Sequence, residues 1–112
     1  MNAIRISWDR PFFDSQQALD IGIADLDAFY AETPEAERAN LFFVLLHSLN
    51  RCMETGEKEG AAHLSFLIAY YLFTALTPPG SQELALHYIR QATEIKPCGE
   101  YLKLLELIQK GN

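Results

Sequence analysis

No stretch of this sequence stays apolar long enough to cross a membrane. The longest candidate, residues 64–76, contains Ser65 and Thr74 and is bracketed by His63 and Thr77. A spanning helix needs about 20 apolar residues, so a buried central helix is the better reading. Basic clusters are missing as well. Phosphate contact calls for a stripe of Lys and Arg, and a chain of net charge −6 without one is not expected to bind nucleic acid directly. Cysteine is scarce: Cys52 and Cys98 make no disulfide framework and no Cys-x-x-Cys pair, and both read as small, buried or half-buried apolar residues. No signal-peptide pattern opens the chain, so a reducing cytoplasm is the expected location. Glycine and proline are few, 6 and 5, and most fall where helices would end.

What is present is apolar and helical in pattern. Of 112 residues 49% are hydrophobic, which argues against disorder and suits one domain with a single core. The negative charge is uneven. Residues 1–40 hold eight acids, Asp9, Asp14, Asp20, Asp25, Asp27, Glu32, Glu35 and Glu37, against Arg5, Arg10 and Arg38. The remaining 72 residues are nearly balanced. Such a surface is either a solvated helix face or a field that steers a basic partner into contact.

Residues 1–13 read as an extended arm. Ile4, Ile6 and Trp8 alternate with Arg5 and Ser7 before Pro11 interrupts, a period of two with no strand to pair with. Trp8 is either the anchor that packs the arm on the core or an exposed contact residue, since tryptophan is enriched at binding hot spots. Five helices are expected after it. The first covers about 15–31, capped by Asp14 or Ser15, with Leu19, Ile23, Leu26 and Tyr30 as a buried stripe. Asp20, Asp25 and Asp27 fall away from that stripe. Gly22 is read as a point of close backbone approach. The second, about 34–54, starts at Thr33-Pro34, ends at a left-handed Gly56, and is expected to be central because residues 41–46 are apolar on nearly all sides. The third, about 58–76, is stopped by Pro78 and Pro79. The fourth, about 82–95, is capped by Ser81 and carries Leu84, Ala85, Tyr88, Ile89 and Ala92. The last, about 98–109, carries Tyr101, Leu102, Leu105 and Ile108. The fold class is therefore all-α: a five-helix antiparallel bundle or helical-hairpin stack with an extended N-terminal arm.

No chemistry-bearing constellation emerges. His47, His63 and His87 share no chelating spacing. The carboxylate pairs Asp25 with Asp27 and Glu57 with Glu59 lack an apolar pocket signature. Nucleophile elbows and phosphate-cradling glycine loops are missing. No catalytic residue, metal ligand or cofactor is expected, and the chain is not read as an enzyme. The tyrosines at 30, 70, 71, 88 and 101 read as core residues with rim hydroxyls. Tyr70 and Tyr71 point about 100° apart, so one of them is free to line a contact face.

The segment of about 66–97 resembles a tetratricopeptide repeat. Leu72 matches the leucine of the family's first helix and Gly80 its turn glycine. Ala85, Ile89 and Ala92 match the small–large–small stripe of the second helix, and Pro97 the closing proline. Ala69, Phe73 and Leu76 depart from it, standing where the family has Trp, a small residue and Tyr. The resemblance implies a helical hairpin that grips a peptide or protein surface; one repeat does not imply an array. The profile as a whole, small, acidic and free of catalytic motifs, is similar to that of bacterial immunity proteins. That likeness implies an inhibitor that neutralises a cognate, basic toxin domain by direct binding. The alternative is a tetratricopeptide-like chaperone or adaptor for a secreted subunit. Contact residues expected on these readings are Trp8, Asp20, Asp25, Asp27, Glu35, Tyr70 and Tyr71.

Overall fold

A computed structural model describes residues 4–111, so the arm expected over 1–13 is seen from Ile4 onward; residues 1–3 and Asn112 lie outside the described residues. The described residues form six α-helices and no strand: α1 (Ser15–Leu19), α2 (Ile23–Glu32), α3 (Ala39–Thr55), α4 (Lys58–Tyr71), α5 (Ser81–Ile95) and α6 (Gly99–Lys110). The all-α class and the extended arm are as the patterning implies. The radius of gyration, 13.1 Å, is that of a packed domain of this length.

The helix expected over 15–31 is broken. Asp14 accepts from the Gln17 backbone N–H at 2.8 Å while the Gln17 side chain accepts from the Asp14 N–H at 3.0 Å, a reciprocal cap that starts α1. After one turn the chain tightens: the Asp20 and Ile21 N–H groups bond to Gln17 and Ala18 carbonyls three residues back. Gly22 is extended (φ −111°, ψ 174°) and begins α2, with its N–H held by the Asp25 carboxylate at 2.9 Å. The break resets the helical phase. Leu19 and Ile23, expected inside, are over a third exposed, while Ala18, Ile21, Leu26 and Phe29 are buried. Gly22 admits no close neighbour either: a Cβ there would meet only the Asp25 carboxylate, at 4.0 Å.

The next start also differs. Thr33 ends α2 in extended backbone, as a residue before proline prefers, and residues 35–37 make a 3-10 turn before α3 begins at Ala39. Arg38 fixes this corner. Its Nε donates to the Tyr30 and Thr33 carbonyls at 2.9 and 3.0 Å, and its guanidinium lies 4.1 Å over the Tyr30 ring. The open carbonyls at the end of α2 thus find a donor.

The expectation that α3 is central fails. It buries one stripe, Leu41, Val44, Leu45, Ser48, Leu49 and Cys52, and leaves Phe43 and His47 outside. The central helix is α4, ten of whose fourteen residues are buried. It packs against α1, α2, α3 and α5. Each large apolar side chain enclosed this way contributes roughly 1.5–3 kcal/mol. Close approach comes at Gly60: a Cβ there would lie 2.9 Å from Ser15 Cβ and 3.1 Å from Cys52 Sγ, and would overlap the Ser15 hydroxyl. After Tyr71 the chain widens into a π-helical turn (Leu72–Leu76) and stops at Thr77, left-handed at φ 43°, ahead of the two prolines. Gly80, also left-handed, rather than Ser81, stands at the cap position, and Ser81 is already helical. Gln82 ties the start of α5 to the Ile108 carbonyl near the end of α6 at 2.8 Å, as antiparallel neighbours require. On α5 and α6 the stripes hold at Ala85, Ile89, Ala92, Tyr101 and Ile108, with Leu104 added, whereas Leu84 and Leu102 are exposed.

Candidate functional site

The arm crosses α3 and is fastened on both sides of Trp8. Ahead of it Ile4 is buried; behind it Phe13 is buried and its N–H donates to the enclosed Ser48 hydroxyl at 2.8 Å. Between them Phe12 lies under the Arg51 guanidinium at 3.8 Å and under Arg10 at 4.7 Å. His47 meets the Phe12 edge and reaches the Pro11 carbonyl at 3.1 Å. A backbone held this way keeps Trp8 in place, yet the indole is 82% exposed. Trp8 is therefore not the anchor of the arm; Ile4 and Phe13 are. On α3 nearby, Phe43 is 62% exposed and rests edge-on against Phe42, ring centroids 5.2 Å apart.

Two adjoining depressions share Ile6, Trp8 and Asn40. The first, about 210 Å³, is completed by Pro11, Phe43, Val44 and His47. The second, about 270 Å³, runs to the α2–α3 corner and is completed by Phe29, Glu32, Thr33, Pro34 and Glu37. One is apolar and the other carries two carboxylates. The ion pairs among the described residues lie elsewhere, at Arg10–Asp14, Lys96–Glu59 and Lys110–Glu106. Glu35 sits exposed in the 3-10 turn between Pro34 and Glu37.

The other expected contact residues are placed differently. Asp20 is exposed at the end of α1, and Asp25 is occupied in capping α2. Asp27 accepts the Tyr70 hydroxyl at 2.9 and 3.2 Å. Burial, and then this bond to a carboxylate, push the Tyr70 phenol up. Tyr71 is wholly enclosed, its hydroxyl donating to the Arg38 carbonyl at 2.7 Å, and burial pushes it up to about 12. It is thereby removed from any contact surface and becomes a core residue that steadies the α2–α3 corner. None of Asp20, Asp25, Asp27 and Tyr70 lines either depression at Trp8.

Among the described residues no three His, Cys, Asp or Glu side chains are grouped to hold a metal ion, and no helix is long and apolar enough to cross a membrane. His63 has a structural setting instead. Its Nε2 stands 2.6 Å from the Ile21 carbonyl and its Nδ1 3.5 Å from the Tyr101 hydroxyl. A carbonyl only accepts, so Nε2 carries the hydrogen in the contact with Ile21. His63 thus clamps the α1–α2 break to α4 and α6.

Sequence reasoning missed Ile6, Phe43, Glu32, Glu37 and Asn40 as parts of one surface. The apolar run in α3 hid Phe43. The spacing of Leu41, Val44, Leu45, Ser48, Leu49 and Cys52 is the signal that places it on the opposite side. The chain matches no family model, no curated protein and no solved structure.

Proposed function

We propose that the protein works by binding another protein: an inhibitor of the immunity type, acting in the cytoplasm, that neutralises a basic bacterial toxin through the surface around Trp8 and Phe43. One observation carries the reading. Two large aromatic side chains stand exposed on an anchored backbone, beside the part of the chain where the acid excess is concentrated. Exposed tryptophan costs solvation and gains little for folding, whereas buried in an interface it is a typical hot spot. Carboxylates at the rim speed encounter with a basic surface and repel acidic ones. The test is co-expression with the product of the adjacent gene. Protection of the host is expected from the native chain and not from Trp8→Ala/Phe43→Ala. Equal protection by both would defeat the reading, as would no protection by either.

A second reading, a tetratricopeptide-like chaperone or adaptor for a secreted subunit, draws on the α4–α5 hairpin. There Leu72, Ala85, Ile89 and Ala92 are buried and Gly80 makes the left-handed turn. It is the weaker reading because ten of the fourteen residues of α4 are buried, leaving the first helix of the hairpin little free face. A chaperone would have to use an outer face, such as Leu102 and Leu107 of α6, each about half exposed. Loss of binding on Leu102→Asp/Leu107→Asp, with Trp8→Ala harmless, would favour it.

A further inference from the structure

The two depressions at Trp8 differ in chemistry and share a wall, and this defines the occupant more closely. We propose that the surface takes a segment of the partner protein in which an arginine neighbours a bulky apolar residue. The apolar side chain enters the depression of Ile6, Pro11, Phe43 and Val44, and the guanidinium lies beside the Trp8 indole, reaching Glu32 and Glu37. This deepens, and rests on, the reading of the Trp8 face as a protein-binding surface.

Two features select a cation for the second depression. Glu32 and Glu37 converge on it from opposite sides of the Thr33-Pro34 corner. The Trp8 ring forms the shared wall, and an indole face attracts cations. Arginine fits better than lysine because its planar guanidinium can pair with carboxylates and stack on a ring together. Asn40, common to both depressions, offers a further acceptor. Charge complementarity also decides against a second copy of this chain, which would bring like carboxylates to the same contact. The corner is fixed beforehand by Arg38 on the Tyr30 and Thr33 carbonyls and by the Tyr71 hydroxyl on the Arg38 carbonyl.

The chain has one tryptophan, so its indole N–H resonance reports this site alone. The full chain is titrated with three blocked dipeptides: acetyl-Leu-Arg-amide, the isosteric uncharged acetyl-Leu-citrulline-amide, and acetyl-Gly-Arg-amide. Saturable shifts are expected at Trp8 and at the backbone of residues 32–40 and 43–44. Binding should be at least about tenfold weaker for the citrulline peptide, as loss of charged hydrogen bonds implies, and clearly weaker for the glycine peptide. Glu32→Gln/Glu37→Gln, checked for native helicity, should erase the difference between arginine and citrulline. Equal binding of arginine and citrulline peptides, shifts confined to another face, or no saturable shift would each overturn the proposal. Its failure is separable from that of the broader reading. If Glu32→Gln/Glu37→Gln still neutralises the toxin while Trp8→Ala/Phe43→Ala does not, the surface stands and the cation site falls.

Discussion

Replacing Trp8 by alanine should scarcely affect folding, whereas replacing Phe13 should be costly, although the two residues belong to one short arm. Trp8 is 82% exposed and Phe13 is 8% exposed. Taking about 250 Å² for a free tryptophan side chain, the fold covers only about 45 Å² of it, worth about 1 kcal/mol at ~25 cal/mol/Å². The same arithmetic for phenylalanine gives about 180 Å² and about 4–5 kcal/mol, within the range seen for phenylalanine truncations. Both are upper values, because an unfolded chain already covers some surface. Thermal unfolding followed by circular dichroism reads the contrast without using tryptophan as the probe. At roughly 4 °C per kcal/mol for a domain of this size, Trp8→Ala should lower Tm by no more than about 4 °C and Phe13→Ala by up to about 16–20 °C. If Trp8→Ala lowers Tm as much as Phe13→Ala, the indole is packed on the core, and the case for a contact residue fails with it.

Gly60→Ala should destabilise the fold by about 1–2 kcal/mol: crowding of Ser15 and Cys52 outweighs the gain of about 1 kcal/mol in helix propensity. Ser15→Gly in the same chain should recover part of that loss, and urea titration of the single and double variants checks it. Thr77→Gly should stabilise by about 1 kcal/mol, since a β-branched residue is held at φ 43°; a loss of stability in the same titration would show the Thr77 side chain to be needed. Burial pushes the phenols of Tyr71 and Tyr101 up to about 12 from an ordinary value of 10.0, so the folded state prefers them neutral. Their contribution is complete below pH 10 and is lost as pH rises through 12. The urea midpoint of the native chain should therefore fall across that window, and the fall should be shallower in Tyr71→Phe/Tyr101→Phe.

The later part of the fold is far more legible in the sequence than the earlier part, for physical reasons. Pro78, Pro79, Gly80 and Pro97 impose their stops through backbone geometry alone, so α4, α5 and α6 lie within a residue or so of their expected bounds, apart from the π-helical end of α4. Around Gly22 the local signal misleads. Leu19, Ile23, Leu26 and Tyr30 keep a helical period straight through a break that is set by one local cap, the Asp25 side chain on the Gly22 N–H, and one tertiary tie, His63 on the Ile21 carbonyl. At Thr33-Pro34 the sequence has a proper helix start. The long-range bond from Tyr71 and the two bonds from Arg38 instead favour an extended residue and a 3-10 turn. Periodicity registers which side chains share a face, not which contacts across the fold override it.

The candidate surface shows the same division. Trp8 stood out by residue type, and Glu35 falls beside the surface in the turn between Pro34 and Glu37. Glu32, Glu37, Asn40 and Phe43 are partners of Trp8 only through the way the arm crosses α3, which depends on Phe13 reaching Ser48 and on Phe12 stacking with the Arg10 and Arg51 guanidinium groups. No local pattern records such a crossing. Asp25, off the apolar stripe, and Tyr71, about 100° from Tyr70, are contact candidates by helical position, but each is engaged in holding the fold, one as a helix cap and one as an enclosed phenol.

The most direct test of the protein-binding claim is the association rate with the basic partner at about 50 mM and about 500 mM salt, for the native chain and for Trp8→Ala. An acidic-rimmed aromatic surface predicts a fall of about tenfold or more across that salt range. It also predicts that Trp8→Ala lowers affinity by about thirtyfold or more while its association rate stays within a few fold of native. A salt-independent rate together with an unchanged affinity for Trp8→Ala would contradict it.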